Sequence, residues 1–307
     1  MKPAGNKARR LLIVPLLALS AFAQTLPPPR MPQSALHESM RRETLATIDR
    51  GRETLARNLR DASAAAALPG IGIPALSDPD SAAYSNIVAE AAARAFAVAE
   101  ERISKPWETE FTAGVATAAF AEAMCFAREA PPRIVSRLTR ADVRTLPPAD
   151  AAILLLALES NGVDCRAKWR VLAETPVNAQ AAAAAATQTP PPARVALSAL
   201  CRMMAAPRGV MDAPPAAASA YLRWVWKRID DADFPPEAAY YTALAASRLP
   251  RTVFVSENPP LPINWRERLA SSVVARQFYD SEKSEYRWGA NSADTSYAIL
   301  TLDAVLR

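Results

Sequence analysis

The pattern that decides the fold lies in the last part of the chain, which reads NWRERLASSVVARQ (264–277), FYDSEKSEYR (278–287) and WGANSADTSYAILTLDAVLR (288–307). In the first segment Trp265, Leu269 and Val273 recur every four residues, which predicts a helix with one apolar face. The middle segment is polar and predicts a loop. The third segment predicts a second helix that is apolar on nearly every side.

Polar side chains mark the start of that second helix. Asn291, Ser292 and Asp294 can bond the free N–H groups at a helix start, and residues 297–305 after them are almost wholly apolar. A half-polar helix followed by an apolar one is therefore the unit to look for upstream.

Proline pairs mark the same unit in the middle of the chain. Pro147-Pro148, Pro191-Pro192 and Pro235-Pro236 each precede an apolar run, and proline is favoured at the first helical position. The second prolines are 44 and 44 residues apart, and Ser292 follows 56 residues later. A two-helix unit with this period predicts a helical repeat protein.

The remaining segments extend the pattern in both directions. The half-polar partner helices of the repeat are expected at Cys165–Glu174, at Ala216–Ile229 and from Trp265. An amphipathic helix is expected at Leu36–Leu59, with Leu45, Ile48 and Leu55 on its apolar side, and an apolar one at Tyr84–Arg102, after a loop from Leu68 to Ser81. Further helices are expected at Phe111–Arg128, Pro131–Arg144 and Asn178–Thr187. The chain is thus predicted to be all-α, with about eleven or twelve helices and no convincing strand.

Two architectures fit a period near 45 residues, an α/α toroid of about six helical hairpins and an open HEAT-like α-solenoid. The run from Asn264 through Gln277 and Trp288 to the T-S-Y-A-I-L-T-L segment resembles the repeat of the squalene/terpenoid cyclase and protein prenyltransferase superfamily. The segment IDRGRETLARNLRD (48–61) resembles that family's opening helix. The resemblance covers these two ends, and it implies one toroid domain at residues 36–307.

The N-terminus predicts export. Lys2, Lys7, Arg9 and Arg10 precede the apolar run 11–22, and Ala21-Phe22-Ala23 fits a signal-peptidase site. We therefore expect a signal peptide at 1–23, a proline-rich tether at 24–35, and a periplasmic or extracellular mature protein without a stable membrane span. An uncleaved anchor is the alternative.

The net charge and the cysteine spacing limit which partners and which disulfide bonds the sequence predicts. The net charge of the whole chain is +5, and because residues 1–23 hold four basic and no acidic residues, the mature chain carries +1. This balance does not indicate nucleic-acid binding. Cys125, Cys165 and Cys201 lack C-x-x-C spacing, so either two of them pair after export or all remain buried thiols.

Few residues of this chain match the catalytic residues that the resemblance implies. Prenyltransferases of that superfamily hold zinc with aspartate, cysteine and histidine, but His37 is the only histidine, so no metal or cofactor is expected. The cyclases protonate an alkene from a D-x-D-D run, whereas this chain has Asp230, Asp231 and Asp233 in another order. These three are the candidate catalytic residues, and their role would be to bind Mg²⁺. The alternative is that they are loop and helix-start residues without catalytic function.

Aromatic side chains supply candidate ligand-binding residues. Tyr240, Tyr241 and Tyr297 fall near the starts of apolar helices and could face one mouth of a barrel. Trp224, Trp226 and Trp288 could add stacking surface for a sugar or prenyl chain, although aromatic residues at helical spacing also build cores.

Together these patterns predict an exported toroid that binds a protein partner or a hydrophobic or glycan ligand without catalysis. The alternative is a terpenoid-cyclase-like or carbohydrate-active enzyme that uses Asp230–Asp233.

Overall fold

The computed structural model describes residues 36–61, 75–76, 83–91, 93, 132–175, 191–206, 216–248, 253–255, 262–289 and 291–307. The chain divides into residues 1–35, none of which is described, and one compact unit, Leu36–Arg307.

The described part of this unit is mostly helical, which confirms the all-α prediction. Its nine helices are α1 (Glu38–Asp61), α2 (Pro132–Leu138), α3 (Pro148–Ser160), α4 (Arg166–Ala173), α5 (Pro192–Ala205), α6 (Ala216–Trp226), α7 (Pro236–Ala246), α8 (Trp265–Val274) and α9 (Ser292–Leu306). Residues 85–91, within the predicted second helix, are also helical. The helices expected at Phe111–Arg128 and Asn178–Thr187 lie outside the described residues.

The proline pairs position the helix starts as the sequence predicts. Helices α3, α5 and α7 begin at Pro148, Pro192 and Pro236, each with proline in the first helical turn. Asn291 caps α9 by accepting a hydrogen bond of 2.9 Å from the Asp294 N–H. The 44-residue period is therefore the spacing between the first residues of successive apolar helices.

The helices pack in the alternating order that a two-helix repeat requires. The apolar helices α3, α5, α7 and α9 contact one another in sequence order, and α4, α6 and α8 pack between their neighbours along the chain. Helices α7 and α9 are apolar on nearly every side and are buried on several faces. In α7, for example, the consecutive residues Tyr241, Thr242 and Ala243 are all buried. Trp265, Leu269 and Val273 of α8 are all buried, as predicted.

The first helix packs against the last pair. Helix α1 contacts α8, α9 and the strand that precedes α9. A Cβ atom at Gly51 would lie 2.8 Å from Trp288 and 3.0 Å from Ile299, so only glycine allows this close approach. The Gln277 side chain donates a 3.0 Å hydrogen bond to the Thr47 carbonyl and accepts one of 2.9 Å from Arg50.

Two short hairpins depart from the expectation of no strand. Strand β1 (Val253–Val255) pairs antiparallel with β2 (Pro262–Asn264), and β3 (Phe278–Asp280) with β4 (Glu285–Arg287). The second hairpin occupies the segment predicted to be a loop. Its aromatic residues Phe278, Tyr279 and Tyr286 favour an extended backbone, which the polar residues between them concealed.

The predicted apolar side of α1 needs one correction. Ile48 and Leu55 are buried, but Leu45 is 45% exposed. The buried face instead includes three threonines and a charged residue: Thr44, Thr47, Arg52 and Thr54. The packing face therefore lies beside Leu45. Because several of its residues are polar, the positions of the apolar residues alone did not predict it.

Among the described residues, no helix is both long enough and apolar enough to cross a membrane. Cys165 and Cys201 are buried and unpaired, and Cys125 lies outside the described part. The two described thiols therefore fit the buried-thiol interpretation.

Candidate functional site

Acidic residues occupy the first turns of three apolar helices. Asp150 belongs to the start of α3, Glu237 to that of α7 and Asp294 to that of α9. A carboxylate at this position interacts favourably with the positive end of the helix dipole. Asp294 and Asp150 both lie near enough to Glu237 to raise its pKa, so the repeat brings three acids to one end of the apolar helices.

Three tyrosines pack together beside these acids. The ring centroids of Tyr240 and Tyr241 are 5.9 Å apart, and those of Tyr240 and Tyr297 are 5.8 Å apart. Tyr241 meets Tyr297 edge-on at 6.1 Å. We call Asp150, Glu237, Tyr240, Tyr241, Asp294 and Tyr297 the acid–tyrosine cluster.

Helical spacing explains the composition of this cluster. Tyr240 and Tyr241 follow Glu237 by three and four residues, and Tyr297 follows Asp294 by three. Residues at these separations share one face of a helix. Each of α7 and α9 therefore presents an acid at its first turn and aromatic side chains one turn further on.

The centre of the cluster is a buried hydroxyl. Tyr241 is completely buried, and its hydroxyl lies within hydrogen-bonding reach of the Glu237 carboxyl and the Tyr297 hydroxyl. Burial raises the pKa of Tyr241 far above its ordinary value, and the neighbouring Tyr297 and Glu237 raise it further. The hydroxyl is thus a neutral polar group inside the protein.

The carboxyls of the cluster are partly desolvated. Burial raises the pKa of Glu237; the nearby Tyr241 hydroxyl opposes this shift, and Asp294 and Asp150 add to it. Burial likewise raises the pKa of Asp150. Neither Glu237 nor Asp150 forms an ion pair within the described part of the chain. The cluster is therefore a polar, acidic site with aromatic walls.

The tyrosines named from the sequence are thus brought together, but the three tryptophans lie elsewhere. Trp224 is half-buried with the Arg228 guanidinium 3.9 Å above its ring. Trp226 is buried on the same helix. Trp288 is buried, and its indole N–H donates a 2.7 Å hydrogen bond to the Val273 carbonyl, so this side chain holds α8 against the turn before α9.

The aspartates named from the sequence lie in an exposed turn after α6. Asp230 accepts hydrogen bonds from Arg268, one of them 3.2 Å long, and Asp231 and Asp233 are exposed. Arg276 donates to the carbonyls of Ile229 and Asp231 and so holds the turn against α8. Throughout the described ranges, no three histidine, cysteine, aspartate or glutamate side chains form a group that could hold a metal ion.

A surface groove of about 710 Å³ adjoins that turn. Asp230, Glu267, Arg268 and Arg276 supply its charges, and Met40 of α1 supplies an apolar side. The groove does not contain the tyrosines. The candidate aspartates and tyrosines therefore lie in two separate places: Asp230 lines this exposed mixed-charge groove, and the tyrosines belong to the acid–tyrosine cluster.

Sequence reasoning missed the acids of the cluster as site residues, although it named Asp294 as a helix-start residue. The available signal was positional. An acid occurs within three residues of the start of α3, α7 and α9, at Asp150, Glu237 and Asp294. Superposing the repeats on their helix starts aligns Asp150 with Asp294 and places Glu237 one position earlier.

Comparison of the chain with protein-family models, with curated proteins and with solved structures found no match.

Proposed function

We propose that this protein is an exported α/α-toroid, similar to terpenoid cyclases and prenyltransferases in its repeat, that binds a ligand in the cell envelope without catalysis. The acid–tyrosine cluster is its binding site. The observation that carries the proposal is that the half-buried rings of Tyr240 and Tyr297 meet the Glu237 carboxyl and the buried Tyr241 hydroxyl at one end of the apolar helices. Aromatic surface beside a few convergent polar groups is typical of small-molecule sites.

The packing of the two ends supports a ring over an open solenoid. In an open array the first and last repeats are far apart. Here α1 contacts both helices of the last pair, and the Arg52–Asp303 ion pair joins residues 251 positions apart. Cross-linking that joins the helix at 85–91 to α3 in the intact protein would support a closed circle, and failure to cross-link them would favour the open solenoid.

Ligand binding is tested with wild-type protein and the Tyr241→Phe variant, which keeps the ring and removes the hydroxyl. A panel of soluble sugars, ammonium compounds and short prenyl alcohols is screened by thermal unfolding and by NMR of ring-labelled tyrosine. We expect a ligand that shifts tyrosine signals and raises the Tm of the wild type but not of the variant. A ligand that stabilises both proteins equally would place binding elsewhere, and reproducible turnover would contradict the non-catalytic part of the proposal.

A second candidate function is acid catalysis at the same cluster. A general acid needs a carboxyl that is protonated near neutral pH, and burial raises the pKa of Glu237 in that direction. Asp230, Asp231 and Asp233 are exposed, so they have less support as proton donors. Loss of turnover in Glu237→Gln but not in Asp231→Asn would favour this candidate.

Export is tested on the full chain. Expression in a bacterium with a general secretion pathway should give a soluble form whose N-terminus is Gln24 by mass spectrometry. An Ala23→Phe variant should retain the signal peptide, because the peptidase requires a small residue at that position. Wild-type protein that keeps Met1 in the envelope fraction would indicate the uncleaved anchor instead.

A further inference from the structure

We infer that Tyr279 and Tyr286 form a site of oxidative modification, at which a peroxidase with hydrogen peroxide, acting as a one-electron oxidant, joins the two rings as dityrosine. The site lies on the hairpin of β3 and β4, outside the acid–tyrosine cluster, and the inference does not depend on ligand binding at that cluster. It is carried by the register of the hairpin, the distance between the two rings and their exposure to solvent.

The hairpin places the two rings side by side. Tyr279 and Tyr286 are direct partners in the antiparallel register, and side chains at such positions lie close together on the same face of the sheet. Their ring centroids are 5.0 Å apart, with an angle of 56° between the ring planes. The ring pairs of the acid–tyrosine cluster are 5.8 to 6.1 Å apart. The hairpin pair is therefore closer than any pair within the cluster.

Both rings of the hairpin pair are open to solvent, so an oxidant can reach them. Tyr279 is 53% exposed and Tyr286 is 39% exposed. Within the cluster, by contrast, Tyr241 is completely buried and Tyr240 and Tyr297 are half-buried. The hairpin thus combines ring proximity with accessibility, which the cluster does not.

Contacts other than the ring pair hold the hairpin in this arrangement. Asp280 forms an ion pair with Arg287 of the facing strand. The Asp280 carboxylate also accepts hydrogen bonds of 3.1 and 3.3 Å from the backbone N–H groups of Glu282 and Lys283 in the turn. Arg50 of α1 stacks on the Tyr286 ring, with its guanidinium carbon 5.1 Å from the ring centroid. These contacts position the two rings before any bond forms between them.

The reaction balances as a two-electron oxidation. Each phenol gives up one electron and one proton, and the two phenoxyl radicals couple through ring carbons ortho to their oxygens. One C–C bond forms, each coupled carbon loses its hydrogen as a proton, and each oxygen regains a proton. Hydrogen peroxide accepts the two electrons and two protons and becomes two molecules of water. The product is a covalent bridge across the hairpin that connects α8 to α9.

The test uses the purified full chain, oxidised with a peroxidase and hydrogen peroxide at low protein concentration. Trypsin cleaves after Lys283 and so separates the peptide 277–283, which holds Tyr279, from the peptide 284–287, which holds Tyr286. We expect mass spectrometry of digested monomer to find these two peptides joined, with a mass lower than their sum by two hydrogen atoms. The oxidised monomer should also acquire dityrosine fluorescence.

Three variants assign the reaction to the hairpin pair. Tyr279→Phe and Tyr286→Phe each remove one phenol and should lose the joined peptide and most of the dityrosine fluorescence. Both variants keep the ring at an exposed position, so each should retain the helical circular dichroism spectrum of the wild type. Tyr221→Phe is the matched control, because it removes a phenol from a buried ring of α6. It should leave the yield of the joined peptide unchanged.

Three results would overturn the inference. Equal dityrosine fluorescence in Tyr279→Phe and in the wild type would place the reaction at other tyrosines. Dityrosine found only in covalent dimers would mean that exposed rings of two molecules react instead of the facing rings of one. Oxidation of both rings without any joined peptide would show that the rings do not approach closely enough to couple.

Discussion

One guanidinium nitrogen of Arg52 donates hydrogen bonds of 3.0 and 3.2 Å to the two carboxylate oxygens of Asp303, 251 residues later in the chain. The side chains are only 6% and 17% exposed. Arg52 also donates a 3.0 Å hydrogen bond to the Ala75 carbonyl. The pair therefore joins α1 to α9 in a largely buried setting.

Replacing Asp303 by asparagine should lower the free energy of unfolding by about 3 kcal/mol, because it removes the carboxylate that accepts two hydrogen bonds from the buried Arg52. The matched control is Glu38→Gln. It breaks the Arg42–Glu38 pair, whose side chains are 76% and 63% exposed, and should change stability by less than about 0.5 kcal/mol. Denaturant unfolding measures both, and equal effects would show that α1 does not depend on this contact.

Gly51 should not tolerate alanine. In an exposed helix this substitution stabilises by about 1 kcal/mol, but here the new Cβ would lie 2.8 Å from the buried Trp288 ring. We expect Gly51→Ala to destabilise the protein by about 1 to 3 kcal/mol. In a Trp288→Phe background, where the ring is smaller, the same change should have a smaller effect. A stabilising Gly51→Ala would contradict the close packing of α1.

Alanine substitutions at Gly289 and Gly162, when compared, distinguish the effect of backbone strain from that of side-chain contact. Both have positive φ, +62° and +81°. A Cβ at Gly162 meets nothing within 4 Å, whereas one at Gly289 would lie 2.2 Å from the Asp294 carboxylate. Gly162→Ala should lose about 1 kcal/mol from strain alone, and Gly289→Ala should lose more. Only the latter should also disturb the cluster tyrosines in NMR spectra.

The pH dependence of stability should report on Glu237. Tyr241, Asp294 and Asp150 face it, and burial holds its pKa above the ordinary value of 4.5. The folded state thus binds the proton more tightly than the unfolded chain, so this contribution to stability is complete below pH 4.5 and disappears as pH rises through the folded pKa. Glu237→Gln cannot ionise, and its stability relative to wild type should therefore rise across that window.

The limiting rate of that rise is about 1.4 kcal/mol per pH unit. Unfolding curves for wild type and variant between about pH 4 and pH 8 measure it. Glu53→Gln serves as the control for loss of a surface carboxylate, because the Glu53 side chain is 72% exposed and its replacement should change stability by less than about 0.5 kcal/mol. A flat difference for Glu237→Gln would show that the carboxyl is well solvated.

Cys165 and Cys201 should be unreactive in the native protein. Burial raises the pKa of Cys165 to about 11 and that of Cys201 to about 12, and the thiolate is the reactive form. In a Cys125→Ser variant, alkylation at pH 8 should proceed only as fast as the protein unfolds. Rapid labelling of either residue under native conditions would contradict their burial.

Local signals predicted the helices, and distant contacts decided the site. Pro148, Pro192 and Pro236 fix helix starts because proline acts on its own turn. The proximity of Glu237 to Asp294 depends on how two repeats pack, which no local pattern records. The same distinction explains Trp288, which resembles a stacking residue in sequence but is buried against Gly51.

The contact of α1 with the last helix pair also makes the fold depend on residues that lie far apart in the chain. Gly51 and Arg52 contact Trp288, Ile299 and Asp303, so most of the described chain lies within one closed loop. Closing a loop of this length costs conformational entropy, and contacts at such a separation slow folding. We therefore expect α1 to gain this packing surface late in folding, after α8 and α9 have formed.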